Sequence, residues 1–93
     1  RNSYLTPEER AQAPVIRAAL LAARASCRRG EKRAARLRAI ALAKIAGAAL
    51  ARVDYVEVAD ADSLEALSRV NGSAVMAAAV FFGKTRLIDN ILL

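Results

Sequence analysis

The apolar residues of this chain change their spacing once, near Arg52, and that change limits the folds open to it. Before Arg52 they recur every three or four positions, the period of a helix that buries one face. After it, β-branched and aromatic residues follow one another in short runs typical of strands. The 93 residues suffice for one domain. We therefore predict an α+β domain, with N-terminal helices packed on a three-stranded antiparallel sheet.

The helical half predicts a short helix and two long ones. Thr6 to Glu9 is typical of a capping box with proline at the first helical position, and Pro14 should break or kink this helix around residues 11–13. A second helix should end at Gly30. Its buried stripe would consist of Ile16, Ala19, Leu20, Ala23 and Cys27. We expect it to pack antiparallel to the third helix, over one side of the sheet.

The third helix should run from Glu31 to Ala51, although Gly47 weakens its last turn. Its stripe would comprise Ala34, Leu37, Ala41, Ile45 and Ala48, widened by Ile40 and Leu42.

The strands predicted after Arg52 are Val53 to Val58, Ser73 to Phe82 and Thr85 to Leu92, with Gly83-Lys84 as a two-residue hairpin turn. The connection from Ala59 to Gly72 should contain one helical turn at Leu64 to Leu67, and Asp62 is a suitable cap for a turn starting at Ser63. In the last strand, Leu87 and Ile91 should face one side. Arg86 and Asp89 are placed for local pairing.

Positive charge is concentrated in the first half. Residues 1–52 hold twelve Lys/Arg against three Asp/Glu, and residues 53–93 hold three against six. One alternative is a small basic nucleic-acid-binding module, since clustered cations displace counterions from phosphates. The aromatic residues that single-strand binders stack on bases do not alternate with these cations, which favours a solvated helical face. Another alternative is an interaction domain that presents its alanine-rich helices to a partner.

The residue types exclude several kinds of chemistry. The chain has no histidine, so Ser-His and Cys-His nucleophiles and imidazole metal sites are excluded. Four carboxylates could act as an acid–base pair or hold a hard cation, but solvated structural roles are favoured; these are Asp54, Glu57, Asp60 and Asp62. Cys27 should be a buried apolar residue rather than a reactive thiol. Met76, Phe81 and Phe82 are core candidates. We assign no catalytic residue and no metal ligand.

No apolar run is long enough to cross a membrane, because the longest, Ala74 to Phe82, falls far short of the roughly 20 residues required. We expect a soluble cytoplasmic protein. The chain begins at Arg1 without a methionine, which suggests a fragment.

Three segments resemble the C-terminal domain of the pantothenate synthetase (pantoate-beta-alanine ligase) family, in the family's order and spacing. They are Arg1 to Arg10, Asp54 to Val58 and Thr85 to Asn90. The resemblance implies a ligase that uses ATP and Mg²⁺ to join pantoate to beta-alanine through pantoyl-adenylate, releasing AMP and pyrophosphate. It implies a homodimer, and a preceding nucleotide-binding domain, absent from this chain, that binds the substrates. Residues 1–93 would be the lid domain, inactive alone.

The resemblance also assigns one binding residue. Arg1 matches the family's ATP-phosphate-binding arginine, and Asn2 matches the residue after it. A guanidinium suits phosphate because its planar donors reach two oxygens and it stays charged. The alternative for Arg1 is a solvated residue at a chain end.

Overall fold

The first strand begins at residue 51, next to Arg52, where the spacing of apolar residues predicts the change from helices to strands. The computed structural model describes residues 4–93. In that range the elements are α1 (Pro7–Gln12), α2 (Val15–Arg28), α3 (Ala34–Ile45), β1 (Ala51–Asp60), β2 (Ala74–Phe82) and β3 (Thr85–Leu92). The sheet order is β1-β2-β3, and both pairings are antiparallel. The helices pack on one side of the sheet, so the predicted α+β class is confirmed.

The start of α1 has the predicted capping box. Thr6 Oγ1 accepts a hydrogen bond from the Glu9 backbone N–H at 3.1 Å, and Glu9 Oε1 accepts one from the Thr6 N–H at 2.9 Å. These bonds satisfy two donors that a helix start otherwise leaves unpaired. The predicted break is also confirmed, because α1 ends at Gln12 and α2 begins after Pro14.

The apolar stripes of α2 and α3 are buried against each other and the sheet, as predicted. The predicted length of α3 was wrong at both ends. The backbone just before α3 is extended at Arg33 instead of helical. The reason is two hydrogen bonds to the segment before β2: the Ala34 N–H donates to Ser68 O at 2.9 Å, and the Val70 N–H donates to Lys32 O at 2.7 Å. After Ile45 the chain turns through Gly47 towards the sheet. Leu42, predicted to widen the stripe, is exposed.

The sheet extends the first predicted strand and confirms the last. β1 runs from Ala51 to Asp60 instead of Val53 to Val58, and its register shifts between Val53 and Tyr55. This shift is a β-bulge in which Asp54 is the extra residue. The hairpin turn is as predicted: Phe82 pairs with Thr85, and Gly83 has the positive φ, 62°, that the first turn position needs.

The connection from β1 to β2 differs from the prediction. Residues 64–67 form no helical turn, because the Leu67 N–H donates to Val58 O at 3.0 Å and Ala66 forms a bridge with Ala59. The segment therefore lies along the outer edge of β1. Asp60 caps the turn, not Asp62: its Oδ1 accepts the backbone N–H groups of Asp62 and Ser63, both at 2.9 Å.

The core lies between the sheet and α2 and α3. The sheet's side chains that are buried there are Val56, Val58, Met76, Ala78, Val80, Phe82 and Ile91. Phe81, predicted for the core, is half-buried on the opposite face because neighbouring strand residues alternate between faces. None of the helices within residues 4–93 combines the length and apolar character needed to cross a bilayer.

Candidate functional site

The N-terminal segment meets the domain beside the β2–β3 hairpin. Leu5 is buried in the core, while Tyr4 is 79% exposed. A shallow cavity of about 480 Å³ lies here, lined by Tyr4, Lys84, Thr85 and Arg86. We call these four residues the hairpin site. Arg1 and Asn2, predicted to bind ATP phosphate, lie outside the described residues.

Glu9 links the N-terminal segment to the hairpin. One of its carboxylate oxygens accepts the Thr6 N–H, and the other lies against Gly83 in the turn. Leu5, just before Thr6, is buried in the core. The N-terminal segment is thus attached to the domain through Leu5, Thr6 and Glu9. These contacts hold the N-terminal segment beside the hairpin from Leu5 onwards.

Arg86 joins two strands across the face of the sheet that is turned away from the helices. Its Nε donates to Asp54 Oδ2 at 2.9 Å, and its guanidinium lies over the Tyr55 ring, 5.7 Å from the centroid. Arg52 lies over Phe81 in the same way, at 4.6 Å. Two guanidinium groups thus stand on aromatic rings at this end of the sheet, an arrangement stabilised by cation–π attraction.

The predicted local pairing of Arg86 with Asp89 was wrong. Asp89 instead accepts a hydrogen bond from Arg17 of α2, with 3.0 Å between Oδ1 and Nη2. Residues three apart in a strand point to opposite faces, so these two side chains cannot meet. Leu87 and Ile91 face the same side of β3, as predicted, and the structure shows that this is the helix side, with Ile91 buried and Leu87 packed against the core.

The carboxylates considered for acid–base chemistry have separate structural surroundings. Asp54 pairs with Arg86, and Asp60 accepts backbone N–H groups in its turn. In the part of the chain from Tyr4 onwards, no three Asp, Glu, Cys or His side chains group closely enough to hold a metal ion.

Cys27 is only 2% exposed, as predicted. Its Sγ lies 3.7 Å from Lys32 Nζ, within reach of a weak hydrogen bond.

Several arginines of the basic half are held by contacts within the domain. Arg33 and Arg36 both approach Glu31, at 3.2 and 3.6 Å. The hydrogen bond from Arg33 lowers the pKa of the Glu31 carboxyl. Arg38 Nε donates to Val56 O at 2.8 Å, which satisfies a backbone carbonyl of β1. These cations support the fold as well as contributing net charge.

No local sequence pattern indicates the hairpin site. The helix start at Thr6 and the turn at Gly83-Lys84 are each predicted from nearby residues, but the contact between them joins residues more than seventy positions apart. The hairpin site places the cations of Lys84 and Arg86 next to an exposed aromatic ring, and the carboxylates of Asp54 and Glu9 lie close by and offset their charge.

Comparisons with known proteins agree along the whole chain. The family model for Pantoate-beta-alanine ligase matches residues 1–92. The pantothenate synthetase of Desulfovibrio desulfuricans is 52% identical over 94 residues, covering 100% of this chain and 33% of that protein. That of Pelotomaculum thermopropionicum is 45% identical over 93 residues, with the same coverage. The crystal structure of pantothenate synthetase from Thermus thermophilus superposes with a TM-score of 0.89 at 33% identity, covering 97% of this chain and 32% of that one. The chain thus spans about a third of the length of these relatives.

Proposed function

The chain belongs to the pantoate-beta-alanine ligase family, and from that premise we propose that it is the C-terminal lid domain of an ATP-dependent ligase that joins pantoate to beta-alanine. The reaction would pass through pantoyl-adenylate and release AMP and pyrophosphate. The observation that carries the proposal is that the entire chain aligns with one third of proteins named pantothenate synthetase. The rest of such a protein would bind pantoate, beta-alanine and the nucleotide.

The residues that we assign to the nucleotide are Arg1 and Asn2. The guanidinium of Arg1 would bind ATP phosphate oxygens and stabilise the charge that grows on the departing pyrophosphate. Support comes from the residues next to it in the chain, because Leu5, Thr6 and Glu9 anchor the segment beside the hairpin site.

The proposed movement is a lid closure. Closing the domain over the nucleotide would bring Arg1 to the phosphates and keep water from the acyl-adenylate. The contacts of Leu5, Thr6 and Glu9 support this idea, because this part of the N-terminal segment would move together with the domain.

ATP and Mg²⁺ are the proposed cofactors of the full-length ligase. We assign the ligands of Mg²⁺ to the ATP phosphates and to the rest of the ligase. The resemblance also leads us to propose that the full-length enzyme is a cytoplasmic homodimer.

A chimeric ligase tests the function. This chain would replace the matching third of the D. desulfuricans relative, and pantothenate formation would be followed with pantoate, beta-alanine and Mg-ATP. We expect the chimera to make pantothenate. The same ligase with the third deleted, and this chain alone, should make none. A folded chimera no more active than the deletion variant would contradict the proposal.

A further inference from the structure

The helix α1 is held against the domain by polar side chains more than by the apolar core. None of its residues is buried, and the core contacts the chain on either side of it, at Leu5 and Ala13. A helix of six residues does not form by itself in water, because so few hydrogen bonds cannot offset the cost of the first turn. Its two partly buried residues are Glu9 and Gln12. Their contacts therefore decide how α1 lies on the domain.

Glu9 and Gln12 reach two different parts of the chain from one side of the helix, since residues three apart in a helix are neighbours on its surface. The carboxylate of Glu9 lies against Gly83 in the β2–β3 turn while it accepts the Thr6 N–H. Gln12 Oε1 accepts a hydrogen bond from the Leu50 backbone N–H at 2.9 Å. Leu50 belongs to the connection between α3 and β1. α1 is thus attached to the turn at one position and to this connection at the other.

Gly83 and Leu50 lie at the same end of the sheet. Leu50 directly precedes Ala51 and Gly83 directly follows Phe82, and Ala51 and Phe82 are partners in the register of β1 and β2. The two contacts therefore place α1 across the hairpin end of the sheet, where it connects the start of β1 with the β2–β3 turn.

The position of α1 limits where Arg1 can act. Arg1 precedes Leu5 by four residues, and a fully extended chain spans at most about 3.6 Å per residue, so their Cα atoms are at most about 14 Å apart. Leu5 and Thr6 lie directly before α1. A change in the position of α1 would therefore move the whole region that the Arg1 guanidinium can reach. In catalysis, a displacement of about 1 Å can lower a rate by about a hundredfold.

We propose that Glu9 and Gln12 are positioning residues for the adenylation step. By holding α1 across the hairpin end of the sheet, they fix the point from which the segment carrying Arg1 reaches the ATP phosphates. Their effect on the reaction passes through Arg1, and neither side chain needs to touch a substrate. This inference rests on the proposed function, because it requires Arg1 to bind ATP phosphate.

A double-mutant cycle on pyrophosphate release, measured in a single turnover of the chimeric ligase, tests the inference. Glu9→Ala and Gln12→Ala would be made together, once with Arg1 present and once with Arg1→Ala. In two further variants, Glu9→Gln and Gln12→Glu, the new side chain keeps an oxygen that can accept the backbone N–H. The matched control is Glu8→Ala, which removes an exposed carboxylate from the same helix.

With Arg1 present, we expect the Glu9→Ala/Gln12→Ala pair to slow release by at least about tenfold, because α1 then loses both attachments. With Arg1→Ala, the same pair should change the rate by less than about twofold, because the group that it positions is already gone. Glu9→Gln and Gln12→Glu should stay within about threefold of the parent. Glu8→Ala should have the parent's rate.

Two results would overturn this inference and leave the proposed function intact. One is release at the parent's rate by the pair with Arg1 present, while Arg1→Ala is slow. The other is an equal loss of rate with Arg1 and with Arg1→Ala, since the pair would then act on the domain in general and not through Arg1. If Arg1→Ala alone released pyrophosphate at the parent's rate, the phosphate role of Arg1 and the positioning role would both be refuted.

Discussion

The carboxylate of Glu9 lies against Gly83, so that a Cβ added to this glycine would be 2.7 Å from Glu9 Oε2. The glycine has a φ of 62° and forms the hairpin turn, while Glu9 completes the capping box of α1. One contact thus connects the beginning of the described chain to the turn between its last two strands.

Replacing this glycine should disturb both structures. Gly83→Ala should destabilise the domain by about 1–3 kcal/mol, because alanine is strained at a positive φ. Displacing the Glu9 carboxylate would also remove its hydrogen bond from the Thr6 N–H, which contributes about 0.5–1.5 kcal/mol. The free energy of unfolding would be measured with denaturant for Gly83→Ala, Glu9→Ala and the double variant. We expect Gly83→Ala to cost less when Glu9 is already alanine. Additive costs would show that the contact has no energetic effect.

Cys27 should be protected from thiol reagents. Its side chain lies in the stripe that α2 buries, so labelling requires an opening of the structure. We expect native Cys27 to react on the order of a hundredfold more slowly than a cysteine introduced by Ala25→Cys on the exposed side of α2, because such openings cost a few kcal/mol. In denaturant the two rates should converge. Equal labelling rates in buffer would mean that α2 does not bury the side chain of Cys27.

Because of Asp60, the free energy of unfolding of the domain should depend on pH in the acidic range. The backbone N–H groups of Ser63 and Asp62 stabilise its charged form and lower its pKa below the ordinary value of 3.8. A carboxyl whose pKa is lowered in the folded state stabilises the fold at pH values above its ordinary pKa. This contribution is lost as the pH falls through the pKa of the folded state.

We therefore expect Asp60→Asn to be less stable than the parent at neutral pH, with the difference shrinking as the pH falls below about 4. Denaturant unfolding measured along this pH range would show it. Asp60→Ala, which also loses the acceptor, should be less stable than Asp60→Asn at every pH. A difference between parent and Asp60→Asn that stays constant down to about pH 2 would refute the role of the charge.

Local patterns predicted the elements of this fold well. The stripe of α2, the bounds of β3 and the turn at Gly83 each depend on residues close in sequence, and the structure confirms them. The errors have a common cause. α3 is shortened by hydrogen bonds to Ser68 and Val70, and the predicted turn after Ser63 is replaced by bridging to β1. Such tertiary bonds leave no periodic signal in the sequence.

The hairpin site shows the same limit. The partner of Arg86 is Asp54, which reaches it from a bulge two strands away, and a bulge is not visible in a run of β-branched residues. Arg1 and Asn2 were assigned by resemblance, and their role stays a prediction.

Nucleic-acid binding should be weak. Arg17, Arg33 and Arg36 lie close to carboxylates of the domain, so fewer of the first half's charges are available for phosphates than its composition suggests. Fluorescence anisotropy with mixed-sequence DNA and RNA should show binding that disappears steeply as salt is added, and heparin should behave in the same way. Sub-micromolar binding to nucleic acid but not to heparin, at about 0.15 M salt, would favour the nucleic-acid-binding alternative.

The direct test of the proposed lid role is pyrophosphate release in a single turnover of the chimeric ligase. If Arg1 stabilises the departing pyrophosphate, Arg1→Ala should remove about 2–4 kcal/mol of transition-state binding, by analogy with the loss of one oxyanion donor. Release should then slow by roughly two to three orders of magnitude. Arg1→Lys should recover only part of the rate, because an ammonium group lacks the planar fork. Arg29→Ala, which removes an exposed arginine at the C-terminal end of α2, should have the parent's rate. Release at the parent's rate by Arg1→Ala would contradict the account and leave Arg1 without a role in ATP binding.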